Sequence, residues 1–163
     1  MKKYLVVIML SVVSFFGCSV AQNQDQAAIV GKTNTYNQSG NSTDNTKGNK
    51  MKIKIGSNTF NATLFDNATA SAFKKMLPLT LSMDDLNSNE KKYDFSNTLP
   101  TNSSNPLTIE NGDLMVWGSN TLVLFYKTFP TQYSYTKLGR IDNPSELETI
   151  VGSGSITVTF ELD

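Results

Sequence analysis

The chain has 163 residues, 14 of them basic and 14 acidic, with one cysteine and no histidine. A single cysteine excludes an intrachain disulfide, and the missing histidine removes the commonest general base, every Ser-His or Cys-His nucleophile and nearly all zinc sites. Balanced charge without a basic stripe points away from nucleic acid, and the length sets one domain.

Lys2 and Lys3 precede an apolar run, Tyr4–Phe16, broken only by two serines. The run has the length of a signal-peptide core and falls short of the ~20 residues that span a membrane. It ends in Gly17-Cys18, which resembles a bacterial lipoprotein box with Phe15 where a leucine is usual. Residues 1–17 are therefore expected to be a signal peptide and Cys18 a lipidated N-terminus, with simple secretion as the alternative. The protein is then exported and held at the cell envelope, on the periplasmic or outer-membrane face, touching the membrane through its lipid anchor alone. Loss of Lys2 and Lys3 leaves 12 basic against 14 acidic residues, 14 − 2 on the basic side.

Residues 18–50 are rich in Asn, Gln, Ser, Thr and Gly and poor in large apolar side chains. Such a stretch buries too little surface to offset its ordering entropy and reads as a flexible tether. The folded domain is expected over residues 51–163.

Met51, Ile53 and Ile55 alternate with lysines, then Gly56-Ser57-Asn58 forms a hairpin turn before Phe60, Ala62 and Leu64. Asn67 is placed to cap a short helix over Ala68–Met76, with Ala72, Phe73 and Met76 on one face and Pro78 ending it. Leu79, Leu81 and Met83 alternate as a third strand. Polar residues dominate from Asn87 to Pro106, with room for one short strand near Lys91–Phe95. Asp84, Asp85, Asn87, Asn89 and Glu90 supply five oxygen-bearing side chains there. Their spacing lacks the glycine and final glutamate of a calcium loop, so a solvated loop is expected and no metal.

Gly112–Trp117 and Thr121–Lys127 read as strands joined by Gly118-Ser119-Asn120. The second contains Leu122–Tyr126 without polar interruption, which predicts a central strand buried on both faces. An aromatic connection over Thr128–Tyr135 leads to a strand at Thr136–Ile141. Asn143-Pro144-Ser145-Glu146 has the pattern of a helix start, with a helix to Val151 and a stop at Gly152. Ile156, Val158 and Phe160 form the last strand. Seven or eight strands and two short helices predict a mainly β fold, closed into a barrel by pairing of the first and last strands.

Several segments together carry a family resemblance. Gly112–Trp117, Leu122–Phe125 and Leu138-Gly139-Arg140-Ile141 resemble the bacterial cyclophilin-like domain proteins, as do Leu64–Ala70, Leu77–Met83, Leu99–Asn105 and Gly152–Glu161. The resemblance covers Met51–Leu162 and implies a cyclophilin-like barrel of about eight strands with a helix near each end. It supplies no substrate and no cofactor. Cyclophilin prolyl isomerases carry a Phe-His-Arg stretch and a Gln-Gly-Gly signature, and neither occurs in this chain.

Arg140, the only arginine, is the sharpest candidate site residue. Its rigid fork of donors suits a carboxylate or a prolyl amide, or else pairs with Asp113 or Asp142 to lock a strand end. Asp113 reads as a turn-former, with a general acid–base role beside Glu110 as the rival. Trp117, Phe129, Tyr133 and Tyr135 are candidates to line a cleft; Phe125 and Tyr126 belong to the same aromatic group, for which the core is the competing location. The expectation is a binding domain without catalysis, holding a small molecule or an extended peptide in a cleft near Arg140. A divergent prolyl isomerase using Arg140 and an accessory protein docking on an envelope or redox partner are the alternatives.

Overall fold

The computed structural model describes residues 47–163; the expected signal peptide, Cys18 and the part of the expected tether up to residue 46 lie outside the described residues. After a 3-10 turn at Lys47–Asn49 come β1 (Lys50–Ile55), β2 (Asn58–Leu64), α1 (Ala68–Lys74), β3 (Leu79–Leu86) and β4 (Glu90–Asp94). Then follow β5 (Thr108–Ile109), β6 (Asp113–Trp117), β7 (Thr121–Phe125), β8 (Phe129–Pro130), β9 (Thr136–Ile141), α2 (Leu147–Val151) and β10 (Ile156–Leu162). Eight strands close into an antiparallel barrel in the order β1-β10-β3-β4-β7-β6-β9-β2, with β1 and β10 pairing from Met51↔Leu162 to Ile55↔Val158.

Alternation along each strand sends one set of side chains inward. Met51, Ile53, Ile55, Leu81, Met83, Leu122, Leu124, Val158 and Phe160 pack in one interior cluster. Asn67 caps α1 as its spacing predicts, its Oδ1 accepting from the Ala70 amide at 2.8 Å. Phe73 of α1 meets Phe160 edge-on at 5.8 Å, at the end of the barrel where β10 finishes. At the other end, where β10 begins, Leu147 and Val151 of α2 are buried.

That second end also holds Lys91, which is fully buried. Its ammonium donates to Asp85 Oδ1 at 2.7 Å and to the carbonyls of Gly152 and Gly154 at 2.9 and 2.8 Å, so its three donors are all used. The Tyr126 hydroxyl donates to the same Asp85 oxygen at 2.7 Å. These two donors hold the Asp85 carboxyl below its usual range, Lys91 first and Tyr126 second, while burial and the Asp85 charge push the Tyr126 phenol up.

β9 carries an irregularity. Leu114 pairs with Gly139 but Met115 with Lys137, so Leu138 is the extra residue of a bulge. Gly139 beside it lies against β2 so closely that a Cβ would stand 2.7 Å from the Thr63 carbonyl.

Two expectations need correction. The final helix begins at Leu147, with no side-chain cap, and not directly after Asn143. Pro144 lies in the turn that leads into it: its carbonyl accepts from the Leu147 amide at 3.0 Å and from Asn111 Nδ2 at 3.2 Å, and its ring abuts Gly112, where an added Cβ would meet it at 2.9 Å. The acidic stretch from Asp84 to Glu90 is not a solvated loop. It is the end of β3, a tight turn in which Asn87 and Ser88 have positive φ, and the start of β4. Its carboxylates diverge, Asp84 accepting from Ser155, Asp85 from Lys91 and Tyr126, while Glu90 faces the opposite side of β4 from Lys91.

Candidate functional site

β7 is buried at all five positions because it separates two apolar clusters. Leu122 and Leu124 point into the barrel, whereas Val123 and Phe125 point outward, where they join Ile109, Met115 and Tyr135 in a smaller cluster. That outer cluster is roofed by a flap, the two-stranded β5–β8 sheet and the segment 131–135 after it. Phe125 anchors the flap through edge contacts with Phe129 at 5.8 Å and Tyr135 at 5.4 Å. Paired backbone bonds of 3.0 Å between Ser104 and Tyr135, and one of 2.9 Å from Thr131 to Leu107, hold its far side.

Between the flap and the outer wall of the barrel lies a cleft of about 650 Å³. Its floor is β4 and β7, contributing Glu90, Lys92, Asp94, Thr121 and Val123. Trp117 at the end of β6 and Phe129, Thr131, Tyr133 and Tyr135 of the flap complete its lining. Leu86, Asn87 and Asn89 border it from the β3–β4 turn. Trp117 is 53 % and Tyr133 67 % exposed, so the mouth is aromatic and open to water.

The charged groups on the floor fall into two kinds. Lys92 and Asp94 neutralise each other across 2.7 Å, and Thr121 donates to the other Asp94 oxygen at 2.6 Å. Those bonds, Lys92 first, hold the Asp94 carboxyl low, and Asp94 raises Lys92 in return. Glu90 differs. It is only 7 % exposed, lies opposite Phe125 in the ladder and has no hydrogen-bond partner for its carboxyl among the described residues. Burial, and secondarily the charge of Asp85, push it up to about 7. Tyr135 is raised by its own burial first and by the Glu90 charge second. Asn89 Oδ1 next to it is also buried without a partner.

The sequence-derived candidates therefore separate. Trp117, Phe129, Tyr133 and Tyr135 come together around one cleft. Arg140 and Asp113 do not line it. They stand opposite each other in the β6–β9 ladder, and Arg140 Nε donates to Asp113 Oδ1 at 3.1 Å. Asp113 Oδ2 accepts from the Glu110 amide at 2.9 Å, which ties the turn before β6. The expectation of a cleft near Arg140 is corrected accordingly: Arg140 faces outward on β9, half exposed and already paired. Glu90 was missed as a site residue because a carboxylate in a polar stretch reads as solvated. The only local signal is its parity with Lys92 and Asp94 on β4, and its burial follows from lying opposite Phe125 under the flap.

A family model described as the cyclophilin-like family matches residues 53–161, about two thirds of the chain. The chain belongs to the cyclophilin-like family. The cleft of this cyclophilin-like domain thus lies on the outside of the family's barrel, on the β4–β7–β6 wall. Among solved structures, a hypothetical protein from Archaeoglobus fulgidus, determined in solution, is similar at 18 % identity and a TM-score of 0.48. The match covers 70 % of this chain and 94 % of the archaeal one. No curated protein matches.

Proposed function

We propose that this cyclophilin-like domain is an exported binding module, lipid-anchored through Cys18, whose cleft takes a small organic molecule or a short extended peptide without transforming it. The observation that carries the reading is the exposed aromatic pair, Trp117 and Tyr133, lining one cleft of about 650 Å³ together with Phe129, Tyr135 and Val123. That volume is in the range of small-molecule sites, and aromatic side chains in such a cleft offer stacking faces at little entropic cost. Covering about 100 Å² of aromatic surface there would contribute about 2.5 kcal/mol. The isomerase alternative lacks geometric support, since the arginine it requires is held by Asp113 outside the cleft walls.

Trp117 is the only tryptophan of the chain, so its fluorescence reads the cleft directly. The test is titration of the purified protein with X-Pro peptides and a small-molecule panel, followed by Trp117 emission and by two-dimensional NMR. Binding is expected to shift Trp117, Thr121, Val123, Tyr133 and Tyr135 without accelerating prolyl exchange. Accelerated exchange that is lost in Arg140→Ala would establish the isomerase instead. Shifts confined to other faces would end the cleft reading.

A further inference from the structure

We infer that the cleft selects an organic cation, an ammonium group on an aromatic or apolar body, and seats its charge on Glu90. This rests on the binding role proposed above and names the chemistry of its ligand.

Three features of the cleft converge on it. First, the charges that face the cleft are Glu90, Lys92 and Asp94, two carboxylates against one ammonium. Lys92 and Asp94 are consumed by each other, and Asp94 also accepts from Thr121, so the uncompensated acceptor is Glu90. Secondly, Glu90 is more than nine-tenths buried as a residue, its carboxyl opening only onto the cleft and taking no hydrogen bond from the described residues, and Asn89 Oδ1 beside it is fully buried without a donor. A carboxylate this poorly hydrated and without protein donors is unfavourable unless a cation or proton satisfies it. Thirdly, the cleft is aromatic along its length, with Tyr135 near Glu90, Trp117 at the Asp94 end and Tyr133 on the flap, and their ring faces attract cations and repel anions. An anionic ligand would meet the unpaired carboxylate, and a neutral one would gain nothing from its charge.

The remaining ionisable groups nearby do not oppose this. Asp85 adds negative potential from the β3 side, and burial holds the Tyr135 phenol of the flap above its ordinary value. Lys91 follows Glu90 in sequence but points into the barrel end, where Asp85 and two carbonyls hold it. Because Glu90 titrates near neutrality in the unliganded protein, a bound cation must displace its proton at lower pH. Cation affinity should then fall about tenfold from pH 8 to pH 6, while affinity for a neutral isostere stays level.

The experiment compares phenethylammonium, 2-phenylethanol and 3-phenylpropionate on the full chain, read by Trp117 fluorescence and NMR shifts. A parallel pair, acetyl-Ala-Lys-Phe-amide and its norleucine analogue, presents the same choice on a peptide. At pH 8 the ammonium form should bind at least tenfold more tightly than its neutral isostere, in one pair or both, and the pair that responds identifies the source of the cation. Glu90→Gln should abolish that preference and its pH dependence. Equal binding of cation and alcohol, tightest binding of 3-phenylpropionate, or a preference that survives Glu90→Gln would each overturn the inference and leave the cleft reading intact. If no probe perturbs the cleft residues, both fall.

Discussion

Replacing Glu90 by glutamine should stabilise this protein at alkaline pH and do almost nothing in acid. In the folded chain the carboxyl sits at about 7, against an ordinary value of 4.5. Its folded pKa is raised, so the folded state binds the proton more tightly than the unfolded one. Glu90 therefore supports stability fully only below pH 4.5, and that support is lost as pH rises through 7. The difference of about 2.5 pH units corresponds to roughly 3 kcal/mol at full effect, and water entering the open cleft reduces this to about 1–2 kcal/mol. Glutamine, uncharged throughout, does not suffer that loss. Urea denaturation of both proteins at pH 4.5 and pH 8 measures the double difference, in which the contributions of Asp85, Asp94 and the surface ion pairs cancel. The gap should be near zero at pH 4.5 and favour Glu90→Gln by about 1–2 kcal/mol at pH 8. A gap independent of pH, or one favouring wild type at pH 8, would refute the assignment of Glu90 as a buried carboxyl without a donor. A group that weakens the fold at the floor of a cleft is the pattern expected where binding and stability compete.

Lys91→Met at the barrel end should cost about 3–5 kcal/mol by denaturant unfolding, because it leaves Asp85 and the Gly152 and Gly154 carbonyls without their shared donor. Arg140→Ala should cost no more than about 1 kcal/mol and leave cleft binding unchanged, since the Arg140 side chain is half exposed and lies off the cleft walls. Gly139→Ala should lower the denaturation midpoint by an amount corresponding to about 1–3 kcal/mol, because its Cβ would meet the Thr63 carbonyl at 2.7 Å where β9 and β2 are hydrogen-bonded; an unchanged midpoint would mean that the bulge at Leu138 absorbs the methyl.

Much of the fold was legible because barrel strands announce themselves by alternation. Met51–Ile55, Leu79–Met83 and Ile156–Phe160 place every second side chain in the interior, and closure follows from pairing of the two terminal strands. The α1 cap was legible because Asn67 acts on an amide three residues away. The α2 start misled for the opposite reason: its local pattern places Pro144 in the first helical turn, whereas Pro144 sits in a turn before Leu147 with its carbonyl shared between the Leu147 amide and Asn111, more than thirty residues earlier. The two-residue strands β5 and β8 are too short to show any period, so the flap they form left no trace beyond its aromatic content.

The cleft was half visible. Its aromatics stood out by type, since Tyr133 and Tyr135 occupy a connection and Trp117 ends a strand. The run Leu122–Phe125 by itself required cover on both faces of β7, because no hydrophobic alternation is possible in it. What supplied the outer cover, the flap folding back onto Phe125, only the tertiary structure decided. That same return buries Glu90, which stands across the ladder from Phe125, and turns a carboxylate in a polar stretch into the unpaired acceptor of the cleft. Arg140 was decided the same way, by the register that sets it opposite Asp113. Periodicity, capping and composition act within a few residues and are written in the chain; the surroundings of a charged side chain depend on which strands and loops arrive beside it.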